Sequence, residues 1–342
     1  MVVNRRTVLR TGLTVSAIGA AGLARPGLAT AAVGEPQIYD TRNWGARPAN
    51  GTITVLNRRP INIVVHHTAG PNSSDLSLEH GFAIARGIQN FHMDDRGWID
   101  TGQQLTNTRG GFVIEGRHRS LEVLTGGTRH VQGAHVGGHN DECIGIENEG
   151  LYTTVDVTTR LWTSLVHLVA YIAQQYALPT SAIIGHRDRN ETQCPGDVLY
   201  RRLPELRAAV ARLLGTAAVE PETWPLLRPG DTGAKVLAAQ HLLRAHGITE
   251  VPVDGVFGPA MFAATQRFRK LAGVPYEPCY GGRHDDESGL LGAGTWPLLV
   301  RTVRASEPDE VGKAARILLD ASGRRAGSDT LVDTATWRAL LR

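Results

Sequence analysis

Two apolar β-type segments, far apart in the chain, each run directly into side chains that bind transition metals. Residues 63–65 precede His66, and residues 182–185 precede His186, with Cys194 eight positions further on. If the two strands are neighbours in one sheet, their ligand side chains leave it at the same edge and converge without long loops. This pattern constrains the fold of the chain more than any other feature.

Imidazole nitrogen and cysteine thiolate are the donors that zinc prefers in proteins. Three protein donors leave one tetrahedral position open for a water that can be activated, whereas a fourth donor would make the site structural. A single histidine at a strand end is commonly just a hydrogen-bonded ring, and a lone cysteine is commonly a small buried hydrophobe. Taken together and at this spacing, His66, His186 and Cys194 predict a catalytic zinc site.

The activated water of such a site needs a base, and residues 143–149 carry the carboxylates best placed to serve. Strand alternation puts Glu147 and Glu149 on one face and the apolar Ile144 and Ile146 on the other. A partly desolvated carboxylate beside a metal can accept and return a proton near neutral pH. Spacing alone leaves open which glutamate acts, and also whether both are exposed acids on an edge strand.

Strand-like and helix-like segments alternate from residue 37 to residue 215, which predicts an α/β domain with a mixed central sheet flanked by helices. Apolar residues at helical spacing over 161–172, behind the possible caps Thr158 and Thr159, predict a helix that stops before Pro179. Strands are expected near 61–65, 143–148 and 182–184, and further helices over 76–93 and 199–214.

An internal repeat follows a short linker at residues 216–223. The Thr-Trp pair at Thr223 recurs at Thr295 and again at Thr336, and Leu242-Leu243 is echoed by Leu318-Leu319. Repeats of this size indicate one supersecondary unit that has been copied. We therefore expect a module over 224–302 and a shorter, degenerate copy over 303–342.

The first 31 residues differ in composition from the rest. A charged start with Arg5 and Arg6, a short apolar stretch and an Ala-x-Ala exit at residues 29–31 are typical of a cleaved export signal of the twin-arginine type. The alternative is a disordered basic tail. Because the apolar stretch is short and rich in glycine, we expect no permanent membrane span.

Loss of that segment changes the charge of the chain. Four of the 36 basic residues and none of the 33 acidic residues lie within it, so the mature chain is close to neutral. A nucleic-acid or membrane-surface partner is therefore not expected. The three cysteines, Cys143, Cys194 and Cys279, are too few and odd in number to form a disulfide framework.

Residues 37–215 resemble the catalytic domain of type 2 N-acetylmuramoyl-L-alanine amidases, whose fold is shared by peptidoglycan recognition proteins and phage amidase-type lysozymes. The matching motifs lie at 44–47, 66–69, 97–102, 133–135, 144–147 and 186–196. The resemblance implies that His66, His186 and Cys194 hold Zn²⁺ and that His67 is a neighbour of the metal and not a ligand. It also implies that Glu147 activates the water.

The same resemblance suggests roles for other residues. Thr192 stands where relatives place a Lys or Thr that faces the oxyanion, and a hydroxyl there can donate one hydrogen bond. Gln103 replaces a tyrosine found in many relatives; it can hydrogen-bond the water or the substrate carbonyl but cannot titrate. Arg47 is expected to contact substrate, and His135 either lines the cleft or has a structural role.

The C-terminal segment resembles the small all-α peptidoglycan-binding module of wall hydrolases, through motifs at 227–233, 253–259, 266–268 and 294–296. Together the two resemblances imply a secreted, wall-associated zinc enzyme that hydrolyses the amide between N-acetylmuramic acid and L-alanine in peptidoglycan. The main alternative is a non-catalytic wall-binding or sensing protein, favoured by the loss of the tyrosine. A metallo-peptidase of other specificity is a further alternative, and the sequence leaves the oligomeric state open.

Overall fold

A six-stranded mixed sheet forms the centre of the N-terminal domain in the computed structural model, which describes residues 32–276, 286–324, 327 and 330–342. Its strands are Ile38–Tyr39 (β1), Asn62–His67 (β3), Leu105–Asn107 (β4), Val113–Glu115 (β5), Cys143–Asn148 (β7) and Ile183–Gly185 (β8), and Val55–Leu56 (β2) pairs separately with His130–Val131 (β6). The order across the sheet is β1, β5, β4, β7, β3, β8, and only β4 and β5 pair in antiparallel fashion. The predicted α/β architecture is confirmed.

The two longest strands, β3 and β7, lie side by side near the middle of this sheet and are buried along their whole length. Burial on both faces explains the apolar runs at residues 63–65 of β3 and 143–146 of β7. Strand β8 pairs in parallel with the other side of β3. The two segments predicted to meet are therefore neighbours. His66 is the second-last residue of the buried strand β3.

Helices cover the sheet: Leu78–Asn90 (α1), Ser120–Leu124 (α2), Thr159–Tyr176 (α3), Asp197–Arg201 (α4) and Leu203–Leu214 (α5). Helix α3 begins after Thr158, whose hydroxyl accepts a hydrogen bond from the Leu161 amide at 3.1 Å, as its cap pattern predicts. Helix α1 continues into a π-helical turn at Phe91–Asp95. The single helix predicted over 199–214 is wrong: it is two helices, because Pro204 lacks an amide proton and suits only a first turn.

The C-terminal domain, residues 224–342, contains the helices Ala234–Ala245 (α6), Pro259–Leu271 (α7), Trp296–Leu299 (α8), Glu310–Ala321 (α9) and Thr334–Leu341 (α10), with the strand pair Val303–Arg304 (β9) and Leu331–Val332 (β10). One tryptophan from each predicted copy makes a similar hydrogen bond. Trp296 donates its indole N–H to the Pro225 carbonyl at 2.8 Å, and Trp337 donates to the Arg301 carbonyl at 2.8 Å. Both copies contribute to one hydrophobic core.

Some predictions fall outside the described residues, namely the export signal at 1–31 and Cys279. Cys143 and Cys194 are free thiols. Within the part of the chain that the structure describes, none of the helices has the length and apolar character needed to cross a bilayer.

Candidate metal centre

His66, His186 and Cys194 meet at the carboxyl ends of β3 and β8. One donor atom from each residue lies within 4.8 Å of the other two, and Cys194 Sγ is 3.7 Å from His66 Nδ1. All three side chains are buried, with at most 3% of their surface exposed. The sheet therefore brings together the three residues that the sequence predicted as ligands.

The far nitrogen of each imidazole is held by a partner. His66 Nε2 lies 3.0 Å from His135 Nδ1, and His186 Nε2 lies 3.1 Å from Asn190 Oδ1. His186 Nδ1, in contrast, is buried and has no hydrogen-bond partner among the described residues. A buried ring nitrogen without a partner is costly, and binding a cation would satisfy it, so the site suits a metal ion.

A glycine in β7 makes room for this arrangement. A Cβ added to Gly145 would lie 2.6 Å from ring atoms of His135, which is closer than side chains pack. Gly145 therefore lets the ring of His135 lie against the strand and reach His66. The Ile-Gly-Ile-Glu motif thus combines a packing requirement with the placement of Glu147.

Burial keeps the imidazoles of His66 and His135 in the neutral form. Burial lowers the pKa of His66 well below its ordinary value, and the nearby His186 and His135 lower it further. Burial, followed by the nearby His186 and Arg117, lowers the pKa of His135 to about 3. Neutral imidazole is the form that ligates a metal, so no proton has to be displaced from these rings near neutral pH.

The backbone fixes the cysteine ligand. The Cys194 amide donates to Thr192 Oγ1 at 3.1 Å, and the Cys194 carbonyl accepts from the Arg187 amide at 3.0 Å. Cys194 Sγ accepts a 3.4 Å hydrogen bond from the His67 amide. His67 is not part of the donor cluster, and its ring Nδ1 accepts a hydrogen bond from the Tyr152 amide at 3.4 Å. This agrees with its predicted place beside the metal ligands.

The two candidate bases, Glu147 and Glu149, differ in their contacts. Glu147 pairs in register with His66 across β7 and β3, and its Oε1 is 3.8 Å from His66 Nδ1. Glu149 lies beyond the strand end and is 2% exposed; its Oε1 is 2.8 Å from His80 Nε2, and its Oε2 accepts from the Arg109 amide at 2.8 Å. Glu147 is therefore the carboxylate that reaches the cluster.

A mostly apolar groove of about 660 Å³ leads to Glu147. One wall is formed by α1 and the π turn, including Ile84, Ile88 and Phe91, and another by residues 68–71. The groove gives an extended ligand access to the carboxylate beside the cluster.

Arg47, whose contact with substrate stays a prediction, does not itself line this groove. Its guanidinium binds Asp94 with hydrogen bonds of 2.6 and 2.9 Å and Asn90 at 3.0 Å, and both partners line the groove while Arg47 does not. A bidentate pair with a carboxylate holds the guanidinium against these two lining residues. Arg47 therefore shapes the groove through its neighbours.

The other predicted site residues differ in their contacts. Thr192 is fully buried, and its hydroxyl oxygen accepts from the Cys194 amide. Gln103 is buried and donates to the Thr106 hydroxyl at 2.9 Å; Thr106 is the β4 residue paired with Glu147. His135 packs behind His66, so its contacts favour the structural role over the lining of a cleft.

The residues of this site lie in a segment whose sequence matches a known protein family. A profile of the family described as N-acetylmuramoyl-L-alanine amidase matches residues 56–197, a range that holds all three donors and Glu147. Residues 56–197 belong to the type 2 amidase and peptidoglycan recognition protein family.

Individual relatives of this amidase-family domain are distant. Human N-acetylmuramoyl-L-alanine amidase is 31% identical over 183 residues, which cover 52% of this chain and 30% of that protein. Peptidoglycan-recognition protein SC2 of Drosophila melanogaster is 29% identical over 167 residues, 48% of this chain and 84% of that protein. The crystal structure of Drosophila peptidoglycan recognition protein SD is 26% identical, covers 50% of this chain and 95% of that one, and has a TM-score of 0.44. The chain thus spans about 30% of the human relative's length.

One residue of the amidase-family domain was not predicted from the sequence. Asn190 accepts at the ring of His186 and donates its amide to the Gly137 carbonyl at 3.1 Å, which fixes its oxygen toward the ring. The available signal was its position four residues after His186, across the short helical turn His186–Asp188.

Proposed function

We propose that the chain hydrolyses the amide between N-acetylmuramic acid and L-alanine in peptidoglycan and that it requires zinc. The observation that carries this proposal is the buried cluster of His66, His186 and Cys194 beside a carboxylate that lines a groove. Two imidazoles and one thiolate form a donor set that zinc prefers, and three such donors suit a catalytic site. Zinc bound there would polarise the scissile carbonyl and lower the pKa of a water.

The residues of the chain supply the proton transfers and the orientation. Glu147 accepts the proton of the attacking water and returns it to the leaving amine of alanine. Its short distance to His66 Nδ1 supports this role, as does the commitment of Glu149 to His80 and the Arg109 amide.

Hydrogen bonds to the developing oxyanion would come from Thr192 and Gln103. A hydroxyl that accepts one hydrogen bond can still donate its own proton, so the bond from the Cys194 amide leaves Thr192 a donor. Neither side chain adds the positive charge of a lysine, and the stabilisation is correspondingly weaker.

The groove would hold the stem peptide, and the C-terminal domain would hold the enzyme on the insoluble polymer and raise the local substrate concentration.

Export by the twin-arginine route would place the enzyme at the wall. An intact mass of the secreted protein that shows loss of about the first 31 residues would support export. A secreted protein with the full sequence would count against a cleaved signal.

Digestion of purified peptidoglycan tests the proposed reaction. New alanine amino groups, lactyl-bearing glycan and free stem peptides identified by mass spectrometry would establish the amidase. Binding to the wall without release of any fragment would select the sensing protein, and fragments cut within the peptide would select a peptidase. The Glu147→Gln protein with its zinc content measured serves as the matched control.

A further inference from the structure

The loop that carries Cys194 turns its side chains alternately to two sides. Thr192 and Cys194 face inward and are buried beside the cluster. Glu191 and Gln193 instead contact residues of the C-terminal domain. One short stretch of chain therefore serves both the cluster and the contact with the C-terminal domain.

Glu191 occupies a closed polar socket in the C-terminal domain. Its Oε1 accepts from the Thr295 hydroxyl at 3.0 Å, and its Oε2 lies 3.4 Å from Arg269 Nη2. Both charged side chains are at most 5% exposed. A Cβ on Gly294 would lie 3.0 Å from Glu191 Oε1, and one on Gly292 would lie 3.4 Å from its Cγ. The two glycines thus leave the space that the glutamate fills.

Gln193 is held from the same domain. Its backbone amide donates to Glu287 Oε1 at 2.7 Å, and its side-chain oxygen accepts from Arg228 Nη1 at 2.9 Å. Arg228 also binds Asp197, the first residue of α4, just after the loop. The C-terminal domain therefore forms hydrogen bonds with the chain on both sides of Cys194.

We propose that the C-terminal domain is a structural part of the metal centre and sets the position of the Cys194 thiolate. This inference rests on the proposed metal site and adds Thr295 and Glu287 as positioning residues about one hundred positions away in sequence. Because Gln193 is bonded directly to Cys194, a shift of its amide moves the sulfur. Residues that orient metal ligands typically change metal affinity by about 10-fold to 100-fold when they are replaced.

Two pairs of substitutions in the full-length chain test the inference. Thr295→Val and Glu287→Ala remove the two contacts, whereas Thr295→Ser keeps a hydroxyl donor and Glu287→Gln keeps an oxygen acceptor. Glu250→Gln is the control for an exposed ion pair of the same domain, since Glu250 pairs with Arg267 away from the loop. Zinc affinity is measured by competition with a chelating dye, and cobalt-substituted protein is examined for the thiolate-to-metal absorption band.

We expect Thr295→Val and Glu287→Ala to bind zinc about tenfold more weakly and to show a shifted or weakened cobalt–thiolate band. Thr295→Ser, Glu287→Gln and Glu250→Gln should have the zinc affinity and the cobalt–thiolate band of the wild type. Equal affinity and an equal band in folded Val and Ala proteins would overturn the inference. If the cobalt-substituted wild type shows no thiolate band, the metal site itself is overturned. That measurement comes before any variant is made, so the two failures are distinguishable.

Discussion

His66 and Glu147 face each other across two parallel strands, with His66 Nδ1 3.8 Å from Glu147 Oε1. The first residue belongs to the donor cluster and the second lines the groove. Neighbouring strands therefore place a candidate metal ligand and the proposed base side by side through backbone pairing alone. Such a pair needs no flexible loop to bring it together, which keeps its geometry fixed before substrate arrives.

Replacement of the base should separate catalysis from binding. In Glu147→Gln we expect turnover of a soluble muropeptide to fall by about 10²-fold to 10⁴-fold, because the amide has the shape of the carboxylate but cannot accept the proton. Zinc content and melting temperature should stay near the wild-type values. Retained turnover would move the base elsewhere, and Glu149→Gln, which alters the buried contacts to His80 and Arg109, is the comparison.

The partner of His186 should control metal affinity. Asn190→Ala removes the acceptor at His186 Nε2, and we expect zinc to bind about 10-fold to 100-fold more weakly because the ring is no longer oriented. Asn190→Asp keeps an acceptor and should retain most of the affinity. Dialysis against graded concentrations of a chelator, followed by metal analysis, measures both proteins. Identical metal retention in the Ala and Asp proteins would rule out this role for Asn190.

A half-buried histidine paired with a buried aspartate, outside the cluster, should make stability depend on pH. His118 Nδ1 lies 2.8 Å from Asp100 Oδ2, and this hydrogen bond raises the pKa of His118 against its partial burial, with the charge of Glu115 adding to it. A raised folded-state pKa stabilises the fold fully below the ordinary value of 6.5, and the contribution is lost as pH rises through the folded pKa.

Melting curves of the wild type and His118→Asn measure that effect. The wild type should melt at a higher temperature than His118→Asn at pH 5.5, and this difference should be lost at high pH, because only the histidine gains a proton. Parallel curves for the two proteins from about pH 5 to pH 9 would show that His118 is not linked to folding.

The core of the N-terminal domain should depend on α3. Leu165 is fully buried in this helix, and Leu165→Ala should lower the free energy of unfolding by about 2–5 kcal/mol, since it leaves a cavity. Leu213→Ala is the control, because Leu213 is 44% exposed and its loss should cost only about 0.5 kcal/mol. Urea unfolding measures both, and equal costs would contradict the packing described for α3.

Much of the site could be predicted because its signals are local. Strand alternation, the apolar runs before His66 and His186, and the cap at Thr158 each depend on a few adjacent residues. Pro204 is also a local signal, and it accounts for the break between α4 and α5 that a single helix over 199–214 lacks. The choice between Glu147 and Glu149 could not be made from spacing, because it depends on contacts with His80 and Arg109, which lie far away in sequence.

By itself the sequence determined which side chains can ligate a metal and which strand ends carry them, since donor chemistry and burial patterns belong to short stretches of chain. Only the tertiary structure decided that His135 and Asn190 hold the imidazoles, that Arg47 pairs with Asp94 of the groove, and that Thr295 and Glu287 hold the loop of Cys194. The physical reason is that a hydrogen bond requires two groups to meet within about 3 Å, and for residues far apart in sequence only the packed fold specifies that meeting.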